Sequence, residues 1–400
     1  MVNILTDANK ILIVGASVAG CRLAERLASA GVAVTLFDHR APWEKPCGGG
    51  FTGKLLRDYP DLPGLDPGRR QHARTVYHFG SGRRVTITLA APIVTVSRER
   101  LNTALLGRAV AAGAEFVVAK VEAVRRDGDG MVVSADGREW RGSFVAGADG
   151  VLSLVRRTFL APFPRADLCL TYGALLPFEV NLPVVIRFFP GFDGYAWLFP
   201  RLGTTSIGIA LEGGHATRET LTAALTDFVR DEWSRAGLPP PALPRPWAWM
   251  LPALRPATFA AAEVAGPGFA LVGDASGTAD PVTGEGIYYA LRTADLLADA
   301  LLAGRPEDYR AGWTGLVTPS IGRVSGMRAR FYRPRNQRWL AVMMDYSPAV
   351  RTLVRDLVAG FQPYDGLKAR VLRDWPRYLR EGIVNLALLR TGERQEESGG

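Results

Sequence analysis

Two glycine-rich turns lie more than two hundred residues apart in this 400-residue chain, and each has the composition to hold a polar ligand against backbone N–H groups. The first reads Gly15-Ala16-Ser17-Val18-Ala19-Gly20. It follows the apolar run Ile11–Val14 and opens Val18–Ala30, where apolar residues recur at helical spacing until Gly31 closes the helix. Unpaired N–H groups and the helix dipole make such a start a site for a pyrophosphate. Gly15 permits the tight turn, and Gly20 lets helix and strand approach closely. Ser17 stands at the middle glycine position; its Cβ narrows the approach, and its hydroxyl is a donor. The next apolar run, Val32–Phe37, ends at Asp38, placed to bind an adenosine ribose, with His39 a loop residue near the adenine.

The second turn reads Gly273-Asp274-Ala275-Ser276-Gly277, then Pro281, then Gly284-Glu285-Gly286-Ile287. It joins a strand, Gly268–Val272, to a long helix running from Gly286 to Leu302. A nicotinamide dinucleotide has no need of a second such turn. FAD has, because its ribityl chain and tricyclic ring reach well beyond the adenosine site. An Asp at a strand end can hold a ribityl hydroxyl, and glycines at a helix start can approach the pyrimidine edge and stabilise negative charge there.

Together with Gly147-Ala148-Asp149-Gly150, these turns resemble the flavoprotein hydroxylase superfamily with the aromatic hydroxylase type of fold. Two segments narrow the resemblance to the geranylgeranyl reductases. Lys45-Pro46-Cys47-Gly48-Gly49-Gly50 is similar to a loop of that family, and Tyr195-Ala196-Trp197-Leu198-Phe199-Pro200 is similar to its aromatic-x-Trp-x-Phe-Pro strand. The resemblance covers residues 10–300 and leaves the C-terminal hundred without a motif. It implies that Gly15, Ser17, Gly20 and Asp38 hold the adenosine half of FAD, and that Arg98 contacts the cofactor. Asp149 and Gly150 would be shared between flavin and nicotinamide. Asp274, Pro281, Gly284, Glu285, Gly286 and Ile287 would form the ribityl and isoalloxazine loop. Cys47, Gly48, Gly49 and Gly50 would lie near the flavin, and Tyr195, Trp197 and Phe199 would line a substrate cavity.

The implied reaction is reduction of carbon–carbon double bonds in an isoprenoid or similar apolar substrate, such as an isoprenoid diphosphate or a quinone. An unactivated alkene has no carbonyl to polarise, so it must be held close to the reduced ring in a dry cavity. Cys47 and Tyr195 are the candidate proton donors, and Cys47 reads equally as a small packing residue. NAD(P)H is the expected electron source, with a reduced ferredoxin or another flavin donor as the alternatives. The second reading is an FAD-dependent monooxygenase acting on an aromatic or polyketide-like substrate, which the flavin turns fit equally. A halogenase lacks support, since no Trp-x-Trp-x-Ile-Pro segment is present. A non-catalytic carrier of prenylated molecules is disfavoured by the intact Asp274 turn.

The elements around these motifs define an α/β protein. Strand, turn, helix and strand over Ile11–Phe37 open a parallel sheet. Residues 75–96 alternate as a hairpin about Gly80-Ser81-Gly82, Glu99–Ala112 has helical spacing, and strands follow near Phe116–Ala119, Val121–Val124, Met131–Ala135 and Ser143–Ala146. The middle of the chain, with strands Val184–Phe189, Tyr195–Phe199 and Ser206–Ala210 and a helix Arg218–Ala236, suits an antiparallel sheet roofing a pocket. The expected organisation is a Rossmann-like FAD-binding domain (1–74, 97–167 and 260–304) with an antiparallel-sheet substrate-binding domain (75–96 and 168–259). A C-terminal helical segment (305–390) and a disordered polar tail (391–400) complete it.

Composition excludes other classes. Hydrophobic content of 48% and charged content of 22% are those of an ordinary globular protein. Cys21, Cys47 and Cys169 are odd in number and widely spaced, and His39, His72, His78 and His215 lack ligand spacing, so neither a disulfide framework nor a metal site is expected. No apolar run reaches the length of a membrane span, and the start MVNILTDANK lacks the marks of a signal peptide, so a cytoplasmic location is expected. The net charge of +9 is local: residues 305–380 carry fifteen Arg or Lys against six Asp or Glu, and the remainder balances. That excess reads as a solvated helical face, or as a surface for an anionic membrane or a diphosphate-bearing substrate. Nucleic acid is not expected, because no recognition motif accompanies the charge.

Overall fold

The computed structural model describes residues 10–189, 193–212 and 217–397. A six-stranded sheet runs in the order Ala265–Gly266, Phe269–Leu271, Phe144–Gly147, Ile11–Val14, Val34–Phe37, Glu115–Val117. All its pairings are parallel except that of the edge strand Ala265–Gly266. The strands are apolar runs because both faces are covered. Ile11 and Ile13 join a core with the helices Val18–Ser29, Arg98–Ala111 and Ile287–Leu302. Leu12 and Val14 alternate to the other face, where Val124, Met131 and Val133 of a three-stranded antiparallel sheet meet them.

The second large sheet has eight strands, ordered Trp247–Pro252, Leu168–Leu176, Thr204–Glu212, Gly194–Arg201, Val184–Phe188, Arg70–His78, Arg84–Thr95, Gly50–Phe51. Period-two alternation again decides what each face does. Along Gly194–Arg201, Ala196 and Leu198 pack under the helix Arg218–Arg235 against Leu225 and Phe228, the leucines and the phenylalanine each contributing about 1.5–3 kcal/mol. Tyr195, Trp197 and Phe199 point the opposite way, into a cavity. Thr217 starts that helix by accepting from Thr220 N.

Besides the two-residue edge strands Gly50–Phe51 and Ala265–Gly266, three strands escaped the sequence reading: Arg138–Gly142, Leu168–Leu176 and Trp247–Pro252. The central one carries Gly173, a residue that weakens strand propensity. Here it is required, because a Cβ would lie 2.3 Å from Ile207 O and 2.9 Å from the Trp247 ring. The glycine-rich segment that begins at Lys45 also contributes the short edge strand Gly50–Phe51.

Residues 305–390 are helical, with helices at Asp308–Val317, Arg323–Phe331, Pro334–Tyr346, Pro348–Ala359 and Leu367–Glu397. The last helix continues to Glu397, into the segment expected as a polar tail from residue 391. Glu, Gln and Arg are good helix formers, and they extend a helix already nucleated thirty residues earlier. Residues 398–400 lie outside the described residues.

Candidate active site

The site begins where the strand Ile11–Val14 gives way to the helix Val18–Ser29. Gly15 has φ +102°, and a Cβ there would sit 2.4 Å from Ala148 O; one on Gly20 would sit 1.8 Å from Gly15 O. Strand, helix and the neighbouring strand end therefore meet backbone to backbone. Asp38 braces the turn: its Oδ2 accepts from Ala16 N at 3.0 Å, and its Oδ1 from Arg40 N at 2.8 Å and Ala41 N at 3.2 Å. A carboxylate has about four lone-pair sites, so about one remains for a ribose hydroxyl. His39 is half exposed beside it. The Ser17 hydroxyl caps no helix N–H; it accepts from Arg98 Nη2 at 3.3 Å. Arg98 is 3% exposed, and its Nε has no hydrogen-bond partner. A buried guanidinium whose Nε is unpaired, beside a glycine turn at a helix start, is the observation that most directly fits a diphosphate.

Arg98 also touches the loop that carries Cys47. Burial raises the Cys47 thiol, but the Arg98 charge, the Gly49 N–H at 3.2 Å from Sγ and the Arg201 charge outweigh it and bring the thiol below its ordinary value. The loop is clamped by Arg201, which sequence reasoning missed. This guanidinium is 2% exposed and donates to Gly48 O at 3.1 Å, to Glu44 Oε1 at 2.7 Å and to Cys47 O. Glu44 in turn accepts from Ser97 Oγ, Arg98 N and Glu99 N at the start of the helix Arg98–Ala111. Burial raises its carboxyl, yet Arg201 and these donors hold it below the usual carboxylate range.

The glycines of the loop have separate reasons. Cβ atoms on Gly48 and Gly50 would lie 2.8 and 2.7 Å from the Phe199 ring, and Gly49 has φ +70°. The two segments that carried the resemblance are thus one packed unit, ring against glycines. Trp197 is mostly core: its Nε1 donates to Ser206 Oγ at 3.1 Å and its ring stacks on Trp247. Tyr195 donates its hydroxyl to Thr283 O at 2.6 Å, and burial pushes that hydroxyl well above its ordinary pKa.

The second turn closes the site. Asp274 faces the cavity with Lys45 Nζ at 3.4 Å, and Gly284 with φ +70° leaves room for the Tyr195 hydroxyl. Glu285 pairs with Lys54 Nζ at 2.5 Å and accepts from Thr52 Oγ1. Gly286 and Ile287 line the cavity, whereas Pro281 is buried behind it. Asp149 is turned away, its Oδ2 accepting from Leu154 N at 2.6 Å, while its neighbours Ala148 and Gly150 line the cavity. Burial raises the Asp149 carboxyl, and its Oδ1 is left unpartnered. Asp280, also missed, accepts from Tyr364 of the C-terminal segment at 2.8 Å.

These pieces surround one cavity of about 750 Å³. Ser17, Arg98, Asp274 and Gly286 line one end; the aromatic sheet face forms a wall, and Val324, Phe331, Met344, Leu353 and Leu357 of the C-terminal helices form a roof. The roof was not legible as a site, because its residues are ordinary core types at helical spacing. Among the described residues no group of three or more His, Cys, Asp or Glu is placed to hold a metal, and His215 lies outside them.

A parallel sheet with a pyrophosphate turn, a distant second turn and one cavity spanning both defines an FAD-dependent oxidoreductase. The residues fit that cofactor through the unpaired Arg98 Nε, the Gly15–Gly20 cradle and the cavity's reach to Asp274. Residues 10–179 match the family described as Lycopene cyclase protein. The chain is 30% identical to the menaquinone reductase of Mycobacterium tuberculosis H37Rv, covering 79% of this chain and 81% of that protein. It is also 30% identical to the geranylgeranyl diphosphate reductase of Rhodobacter capsulatus, covering 89% and 94%. A geranylgeranyl bacteriochlorophyll reductase-like structure from Thermoplasma acidophilum superposes with a TM-score of 0.72 at 18% identity, over 92% of this chain and 99% of that one. A flavin-dependent brominase shares the fold at a TM-score of 0.67 and 17% identity, over 96% and 99%. The chain belongs to the geranylgeranyl reductase-like family of FAD-dependent oxidoreductases.

Proposed function

We propose that the protein reduces carbon–carbon double bonds of a long isoprenoid chain, either of a quinone or of a prenyl diphosphate. The observation that carries this reading is one continuous cavity, lined at one end by the cofactor turns and over most of the rest of its length by apolar sheet and helix side chains. Charged groups that reach it are accounted for: Lys45 pairs with Asp274, Lys54 with Glu285 and Arg57 with Asp58, Asp280 accepts from the Tyr364 hydroxyl, and Arg98 sits at the pyrophosphate turn. Hydrocarbon is what the remaining wall suits. The relatives named as menaquinone and geranylgeranyl diphosphate reductases support the same class.

FAD, when bound, supplies a hydride equivalent to one alkene carbon. The chain's own residues exclude water, hold the alkene beside the ring and provide a proton for the other carbon. Of the two candidate donors, Tyr195 has its hydroxyl committed to Thr283 O and its pKa pushed well up. We assign the proton to Cys47 Sγ, whose thiol is eased below its ordinary value beside Arg98. Reduced nicotinamide is the electron source we infer. Anaerobic bleaching of the flavin by NADPH or NADH supports it, and bleaching only by reduced ferredoxin overturns it.

The test of the reaction is product mass. Reduced holoprotein is incubated without oxygen with a polyprenyl quinone or a polyprenyl diphosphate. A gain of two hydrogens per double bond is expected. A product that instead gains oxygen, and only in air, assigns the protein to the hydroxylases.

A further inference from the structure

The basic C-terminal segment has a feature that charge alone does not explain. On the last helix Leu372, Trp375, Leu379 and Ile383 are exposed, Leu372 by 65% and Ile383 by 66%. Their spacing of three, four and four residues puts them on one face. Trp339, from the helix Pro334–Tyr346, is also exposed, and its ring stacks on Trp375 with centroids 5.5 Å apart. The stripe therefore spans two helices and is rimmed by cations. Lys368 lies one turn before Leu372, Arg380 follows Leu379, and Arg335 and Arg338 flank Trp339. Those four are exposed and make no ion pair among the described residues. Within residues 334–383 the acids are already taken: Asp345 by Arg83, Asp356 by Arg370, Asp365 by Arg323, Asp374 by Arg373 and Glu381 by Arg377. What remains free is positive.

We propose that this face docks on an anionic lipid bilayer, with the apolar stripe in the headgroup–acyl boundary and the cations against lipid phosphates. A second copy of the chain is the poorer occupant, since its identical rim would set like charges against each other. An aromatic and aliphatic stripe bordered by Lys and Arg is the composition that settles at a membrane interface. No helix among the described residues is long and apolar enough to cross a membrane, so the contact is peripheral. The cavity adds a second observation. Met327 and Trp339 line it and are 42% and 41% exposed, so it opens beside the stripe. The docked protein thus presents its cavity mouth to lipid, and an isoprenoid chain enters without crossing water. The entry route rests on the proposed substrate class; the docking itself does not.

Flotation with phosphatidylcholine vesicles, with and without phosphatidylglycerol, tests the docking independently of turnover. The holoprotein is expected to float with the anionic vesicles and to be released by salt. The double variant L372D/I383D changes two exposed side chains outside the cavity, and should lower the bound fraction about tenfold or more while keeping flavin content and turnover of detergent-dispersed substrate. Unchanged flotation of that variant, or no flotation of the wild type, overturns the proposal. So does a wild-type dimer that the variant converts to monomer, because the face then belongs to a second copy. If the variant does not fold, wild-type tryptophan emission with lipids brominated in the acyl chain decides: quenching supports insertion, and its absence refutes it. Failure here leaves the product-mass test untouched, and the converse holds.

Discussion

The cavity has two walls built on different principles. The loop 44–50 is held by directional contacts: Arg201 grips two of its carbonyls and Glu44, Glu44 caps a helix, and the Phe199 ring lies on Gly48 and Gly50. The helical roof over it is held by apolar packing, in a core that joins Phe188, Tyr332, Met344 and Leu353. In the first wall almost no residue can be exchanged, because each donor distance and each missing Cβ is specified. In the second, any side chain of similar volume serves. In the function proposed above, the rigid wall would position the cofactor and the permissive one would shape itself around the substrate.

The largest break in that contrast should come from Arg201→Met. Removing a buried cation from its partner costs about 3–5 kcal/mol, and the lower end applies because Glu44 is partly exposed. Urea unfolding should show the loss together with reduced flavin content, and a stability within error of wild type would refute the clamp. Next is Cys47→Ala, expected to lower turnover about a hundredfold, the usual lower bound for a general acid. In the wild type the proton leaves Sγ below the ordinary thiol value of 9.0, so turnover should fall as pH rises through a midpoint under that value. A flat profile to higher pH would remove Cys47 from the proton path.

The roof gives the opposite response. Leu353→Ala should cost about 2–3 kcal/mol, whereas Leu353→Met should cost under about 1.5, both read from thermal melts. Equal losses would mean that the roof is as exacting as the loop. Gly48→Ala adds one methyl against Phe199 and should cost about 1–2 kcal/mol, recovered in part by Phe199→Leu. Without that recovery, ring and glycine are not the coupled pair. Tyr195→Phe is the mildest change. It removes one hydrogen bond, worth about 1 kcal/mol, and should leave turnover within about threefold of wild type. A hundredfold loss would move the proton assignment to Tyr195.

The cavity end assigned to the cofactor was legible as backbone geometry in the residues themselves. A positive φ at Gly15, a backbone contact at Gly20 and an acid after the second strand are local demands that few residue types meet, so they leave a pattern along the chain. The same holds for the loop at Cys47 and the strand at Tyr195, although their mutual contact across about 150 residues was invisible before folding.

Other features were decided only in three dimensions. Arg201 directly follows the Tyr195–Pro200 motif and ends its strand, yet nothing in its type distinguishes a buried clamp from a surface charge. Asp149 matched a motif and still turned its carboxylate to a helix start, beside residues that do face the cavity. The roof, the cavity mouth and the exposed stripe come from helices whose residues would serve equally in any core. Sequence determines what is specified by backbone geometry, because geometry restricts residue type. Where apolar volume alone is required, many residues satisfy it, and only the packed structure says which space they enclose.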